Sequence, residues 1–235
     1  MRLQKIVLIL VFIIFFNSCK DVIFNNPLDP NASVEGLKLI KVISTSSRGK
    51  GDICFDGEKI WKISEYTNLI AFDIETGVII RTIQSIKGTG LCFFEDRIYV
   101  CNGENVLYFL DSLSGDIIGQ ISTTDICPAY LCAINGFLII YDLRSTSFFK
   151  YNPETGDSIR LFQASGINIG GIEIYKEGIL VSDMNSGSIY HFFLNGEIKN
   201  VFRSPVNDIV GLTVDANNYI YLFTLDGKIN KVSIP

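Results

Sequence analysis

Three cysteines, Cys54, Cys92 and Cys132, recur at matched places along the chain, and Glu173 and Thr213 stand at the next two recurrences. If these places ring one axis, three thiols and a carboxylate would suit a soft metal such as zinc. The competing reading is packing: small residues are needed where inner strands crowd together, and a free cysteine behaves as a small hydrophobe. The residues favour packing, so no metal and no cofactor are expected. His191 is the only histidine and lies mid-strand in "SIYHFFL", which gives it no catalytic partner. The stretch Gly88–Phe93, "GTGLCF", lacks the third glycine and the following helix of a dinucleotide site. Neither a nucleophile-elbow serine nor a zinc-protease motif is present.

The elements that position these residues come from a repeat. Turn glycines Gly36, Gly77, Gly115, Gly156 and Gly196 each precede a strand such as "VIIRTI" or "DIIGQI", at intervals of 38 to 41 residues. The strands that begin at Ile53, Leu91, Leu131, Ile172 and Leu212 keep the same period. Each unit holds four strands, a to d. Their apolar runs, such as "FLIIY" and "YIYLF", suit strands covered on both faces. Four strands per period of about 40 predict an all-β chain, a five-bladed β-propeller of four-stranded antiparallel blades over residues 36–235. The last unit lacks its strand d, and Leu37–Ile43 is a spare one. Leu37–Ile43 should therefore close the ring beside Lys228–Ile234, burying Leu37, Leu39, Ile40, Val42 and Ile43.

Propellers as a class bind on one face or in the channel, and the d–a and b–c loops share a face. The polar residues of those loops are the candidate ligand contacts: Arg48, Lys50, Lys87, Glu104, Asp142, Arg144, Asp183, Asn185 and Asp208. The alternative for each is an ordinary solvated turn. The formal charge of −5 argues against a nucleic-acid partner, which demands a basic stripe.

The first residues are separate. Arg2 and Lys5 precede eleven apolar residues, Ile6–Phe16, too few to span a bilayer, and then Asn17-Ser18-Cys19. This is a secretory signal over residues 1–18. Ser18-Cys19 resembles a bacterial lipobox, in which the cysteine is acylated after cleavage; an ordinary signal peptide with a chance cysteine is the alternative. Cleavage would move the formal charge from −5 to −7 and leave five of the six cysteines after acylation, an odd number that no complete disulfide set accommodates. Residues 19–35 read as a tether, and the chain is expected in the bacterial cell envelope with a lipid bilayer as partner.

"GLTVDANNYIYLFTLDGKINKV" and "GGIEIYKEGILVSDMNSGSIYHF" resemble the NHL-like, quinoprotein-like and SMP-type bacterial propellers, over Gly36 to Pro235. That resemblance identifies the units as propeller blades; the leading functional reading is a lipid-anchored binding or interaction module for a protein, peptide or glycan. "FDGEKIWKISEYTNLIAFDIETGVIIRTI" is similar to the five-bladed glutamine cyclotransferases, which implies the competing reading of a propeller enzyme with channel carboxylates for proton transfer. Their Phe-Thr-Gln-Gly stretch and paired glutamates are absent, and Glu173 is the only acidic residue in a comparable strand. A metal or redox protein built on the inner cysteines is the third reading.

Overall fold

The computed structural model describes residues 35–64 and 68–235. The expected signal sequence, Cys19 and the tether as far as residue 34 lie outside the described residues.

Twenty-one strands and no helix make up the described chain. Two strands precede the first blade, the two-residue β1 (Glu35–Gly36) and β2 (Lys38–Ser44). Blade 1 is β3 (Ile53–Phe55), β4 (Lys59–Ile63), β5 (Asn68–Asp73) and β6 (Ile79–Gln84). Blade 2 is β7 (Gly90–Phe94), β8 (Arg97–Cys101), β9 (Val106–Asp111) and β10 (Ile117–Ser122). Blade 3 is β11 (Pro128–Ile134), β12 (Phe137–Asp142), β13 (Ser147–Tyr151) and β14 (Ser158–Gln163). Blade 4 is β15 (Ile169–Tyr175), β16 (Gly178–Asp183), β17 (Ser188–Phe193) and β18 (Ile198–Arg203). Blade 5 takes β19 (Ile209–Val214), β20 (Ile220–Thr224) and β21 (Lys228–Ser233), and is completed by β2.

The continuous apolar runs follow from this arrangement. Strand side chains alternate between faces, and each face of a blade packs on a different neighbour. In β12, Leu138 and Ile140 enter the core shared with blade 2, while Ile139 and Tyr141 enter the core shared with blade 4. Five such cores lie between the five pairs of neighbouring blades. Trp61, fully buried, anchors the core between blades 1 and 2 and donates its indole N–H to Asp56 Oδ2 at 2.7 Å. The c–d hairpins share one device. Asp111 accepts the N–H groups of Leu113 and Ser114 at 2.9 and 2.6 Å, and Gly115 then takes the positive φ of 81° that the turn requires. Asp73 and Asn152 repeat the pattern in blades 1 and 3.

Closure is as the strand count predicts: β2 pairs antiparallel with β21, Ile43 opposite Ile229. The chain also holds blade 4, because β1 runs parallel to β18 and Leu37 N donates to Arg203 O at 2.9 Å. Burial departs from the expectation. Leu37 and Ile43 are buried, in the cores on either side of blade 5, whereas Leu39, Ile40 and Val42 are 42–47% exposed. Blades are wedges: inner strands crowd at the axis and outer strands diverge, so an outermost strand meets its neighbour only near its ends.

Burying each of Leu37 and Ile43 is worth about 1.5–3 kcal/mol, a large share of a typical net stability of about 5–15 kcal/mol. A chain beginning at Glu35 should therefore unfold in urea as a single cooperative unit. A chain beginning at Thr45 should lose about 3–6 kcal/mol and scatter light through the exposed edge of β21. Equal midpoints and equal solubility would contradict closure by β2.

Candidate functional site

The β-ladders place Cys54, Cys92, Cys132, Glu173 and Thr213 at one level of the five inner strands, opposite Trp61, Tyr99, Ile139, Leu180 and Tyr221 of the second strands. Burial pushes the thiols of Cys54, Cys92 and Cys132 well up, and the Glu173 carboxyl adds to this in all three, so they stay protonated. Among the described residues, no three His, Cys, Asp or Glu side chains converge to hold a metal ion. Glu173 faces Thr213 instead: the Thr213 hydroxyl donates to Glu173 Oε2 at 2.9 Å and accepts the Phe55 N–H at 3.1 Å. This ties blades 4, 5 and 1 at that level.

Two residues earlier in each inner strand stand Asp52, Gly90, Tyr130, Gly171 and Gly211. Here neighbouring inner strands approach closely. A Cβ on Gly171 would lie 2.5 Å from Leu212 N and 2.7 Å from Asp52 Oδ1, and one on Gly211 would lie 2.9 Å from Ile53 N. Strands β11, β15 and β19 each shift register at this point, which bends them around the axis. Into the space the glycines leave, Asp52 sends a fully buried carboxylate. Its Oδ1 accepts N–H groups from Ile53 at 2.9 Å and Leu212 at 3.2 Å, and the Leu91 N–H also bonds to the carboxylate. Burial pushes the Asp52 carboxyl well up against those backbone donors, and Glu173 pushes it further. Oδ2 has no protein partner.

This collar separates two cavities. On the face of the d–a and b–c loops lies one of ≈ 230 Å³, bordered by Lys50, Thr89, Tyr130, Tyr141, Asn168 and Met184. Nearby, buried Lys62 reaches the Lys50 carbonyl at 3.5 Å and lies 5.1 Å from the Phe223 ring centre. On the opposite face lies one of ≈ 310 Å³, bordered by Cys92, Glu173, Tyr175, Lys176, Asp215 and Asn218. Burial pushes the Glu173 carboxyl up to about 7, against hydrogen bonds from Ile174 N and Thr213 that pull it down.

Of the nine loop residues read as ligand contacts, Lys50 alone borders the first cavity. Asp142 and Asp183 are buried and hold their own loops. Asp142 accepts Cys127 N at 2.7 Å and Ser145 N at 3.0 Å, and Asp183 accepts Asn168 N at 3.2 Å and Asn185 N at 3.0 Å. The Asn185 carbonyl receives the Asn168 amide at 3.0 Å, and Arg144 reaches Cys127 Sγ at 2.9 Å. Arg48, Lys87 and Glu104 are exposed and dispersed over the d–a loops of blades 1 and 2 and the b–c turn of blade 2. Asp208 lies in a separate groove beside Leu39 and Val206. Asp52, Tyr130, Tyr141 and Asn168 are additions that the loop reading missed. The available signal was a broken repeat: an aspartate and a tyrosine where three other blades place glycine. His191 is a core residue of blade 4, 1% exposed, packed edge-on to Tyr175 and kept neutral by burial.

The Glu173 carboxyl sets a pH dependence. It holds its proton up to about pH 7 in the folded chain but gives it up near 4.5 when unfolded. Between those values the folded state binds the extra proton, so stability falls as pH rises through the window and levels off above it. Glu173→Gln removes that loss. In urea titrations the variant should match the parent at about pH 4 and exceed it by up to about 3 kcal/mol at about pH 8. An advantage that does not grow with pH would contradict a proton held on Glu173.

No family model and no curated protein matches the sequence. Solved structures do match. The glutaminyl cyclase of Myxococcus xanthus superposes with a TM-score of 0.71 at 15% identity, covering 84% of this chain and 96% of that one. BamB from Moraxella catarrhalis gives a TM-score of 0.47 at 18% identity, covering 83% and 61%. The fold is a five-bladed β-propeller, shared with the glutaminyl cyclase over nearly its whole length.

Proposed function

We propose that the chain is an envelope lipoprotein, acylated at Cys19, whose propeller presents a recognition face to a protein, peptide or glycan. The observation that carries the binding role is the ≈ 230 Å³ cavity on the d–a and b–c face. Two tyrosines, an amide and a lysine converge there, and the collar floors it. Rings that offer an apolar face and a hydroxyl suit sugar rings and peptide side chains alike. The carboxylates Asp52 and Glu173 are not among its lining residues.

A proton-transfer enzyme is the second reading, favoured by Glu173, whose carboxyl titrates near 7 beside the other cavity. Turnover of a glutaminyl peptide that disappears in Glu173→Gln would support it over the first.

The binding reading is tested on peptide and glycan arrays with the full chain. A ligand found there should bind Tyr130→Ala and Lys50→Glu at least about tenfold more weakly, the loss of one anchoring contact, while an exposed Arg160→Ala variant binds as the parent does. No ligand on either array, or one indifferent to both substitutions, would contradict recognition at this mouth.

A further inference from the structure

The outer strands are unequal. Each of β2, β6 and β10, on the adjoining blades 5, 1 and 2, exposes a consecutive aliphatic pair: Leu39–Ile40, Ile79–Ile80 and Ile117–Ile118, all 38–54% exposed. Blade 4 exposes no large aliphatic among its described residues, and the rim strand of blade 3 exposes only Ile159. The three edges form one continuous band. Lys41 of β2 holds Glu75 in the turn before β6, with Nζ 2.7 Å from Oε2. Arg81 of β6 donates to the carbonyls of Ser112, Leu113 and Ser114 in the turn before β10. β2, β6 and β10 contain Lys38, Lys41 and Arg81 and no acidic residue, in a chain whose formal charge is −5.

We infer that this three-blade rim docks on the lipid surface that anchors the chain. The inference rests on the reading of Cys19 as the acylated residue. Fifteen residues separate Cys19 from Glu35, where β1 begins and leads directly into β2. Whatever its conformation, a stretch of that length reaches at most about 55 Å, of the order of the width of a 200-residue domain of radius of gyration about 16 Å. The rim beside β2 is therefore held at an effective concentration of the millimolar order against the bilayer, so even a millimolar intrinsic affinity gives substantial occupancy.

The geometry of the pairs favours lipid over a rigid protein partner. Consecutive strand residues point to opposite faces of a blade, so both are exposed only where adjoining blades diverge. A protein would have to wedge into three gaps at once, whereas lipid is fluid and fills both sides of each edge. Depth is limited too: β2, β6 and β10 are edge strands with unpaired backbone groups. Those groups need water or headgroups, which places the rim at the glycerol level and no deeper.

The test uses the full, acylated chain on vesicles of phosphatidylethanolamine and phosphatidylglycerol, with Ile80→Trp, Ile118→Trp and, on the far rim, Ile159→Trp. The native Trp61 is 0% exposed and supplies a constant background. Lipids brominated near the glycerol end should quench the added emission of Ile80→Trp and Ile118→Trp at least about twofold, more strongly than lipids brominated near the chain terminus, and leave Ile159→Trp unchanged. A chain that floats with the vesicles but shows no quenching, or equal quenching at all three positions, overturns the docking and leaves the anchor standing. A chain that does not float overturns the anchor, and the docking falls with it.

Discussion

One carboxylate stands where five strands must converge. A propeller needs its inner strands close enough to seal the axis, and their backbone N–H groups then lose water before they gain partners. Asp52 supplies an acceptor at that point. It takes N–H groups from blades 1, 2 and 5, and contacts the space left by Gly171 of blade 4. Its own N–H goes to Thr89 O at 3.3 Å, and the Thr89 hydroxyl goes on to Ala129 O of blade 3 at 2.8 Å. The five interblade cores form only if the blades are held at this spacing, so the collar and the apolar packing support one another.

The collar also divides the labour of the molecule. Above it, the cavity is bordered by Tyr130, Tyr141 and Lys50. Below it, Glu173 is bridged to Thr213 and opens to a second cavity. Asp52 lies between, buried, and raises the proton affinity of Cys54 through its charge, as Glu173 does more strongly. Burial is the larger reason that the thiols stay neutral, which suits them to packing in the crowded centre.

Much of this architecture was legible in the residues. The 40-residue period marks blades because each repeat must bury both faces, and counting strands reveals that β2 closes the ring. The burial of β2 was not legible, because the apolar content of a strand does not tell how far blades diverge at the rim; only Leu37 and Ile43 are buried. Loop aspartates were misleading for a physical reason. Asp142 and Asp183 have the residue type and position of ligand contacts, yet backbone N–H groups in tight turns need the same acceptors. Asp52 and Tyr130 carry no repeat signal of their own, because the recurring residue at their level is glycine, while the conspicuous cysteines recur two residues later. The informative position is the one where glycine recurs and two blades break the rule.

Asp52 holds the ring by accepting backbone donors. Urea unfolding of Asp52→Asn and Asp52→Ala at neutral pH tests it most directly. Asparagine keeps an acceptor oxygen in place and avoids the cost of a buried charge, so it should stay within about 1 kcal/mol of the parent or exceed it. Alanine strands the N–H groups of Ile53, Leu91 and Leu212, and should cost about 3 kcal/mol or more. Two variants of equal stability would contradict the account.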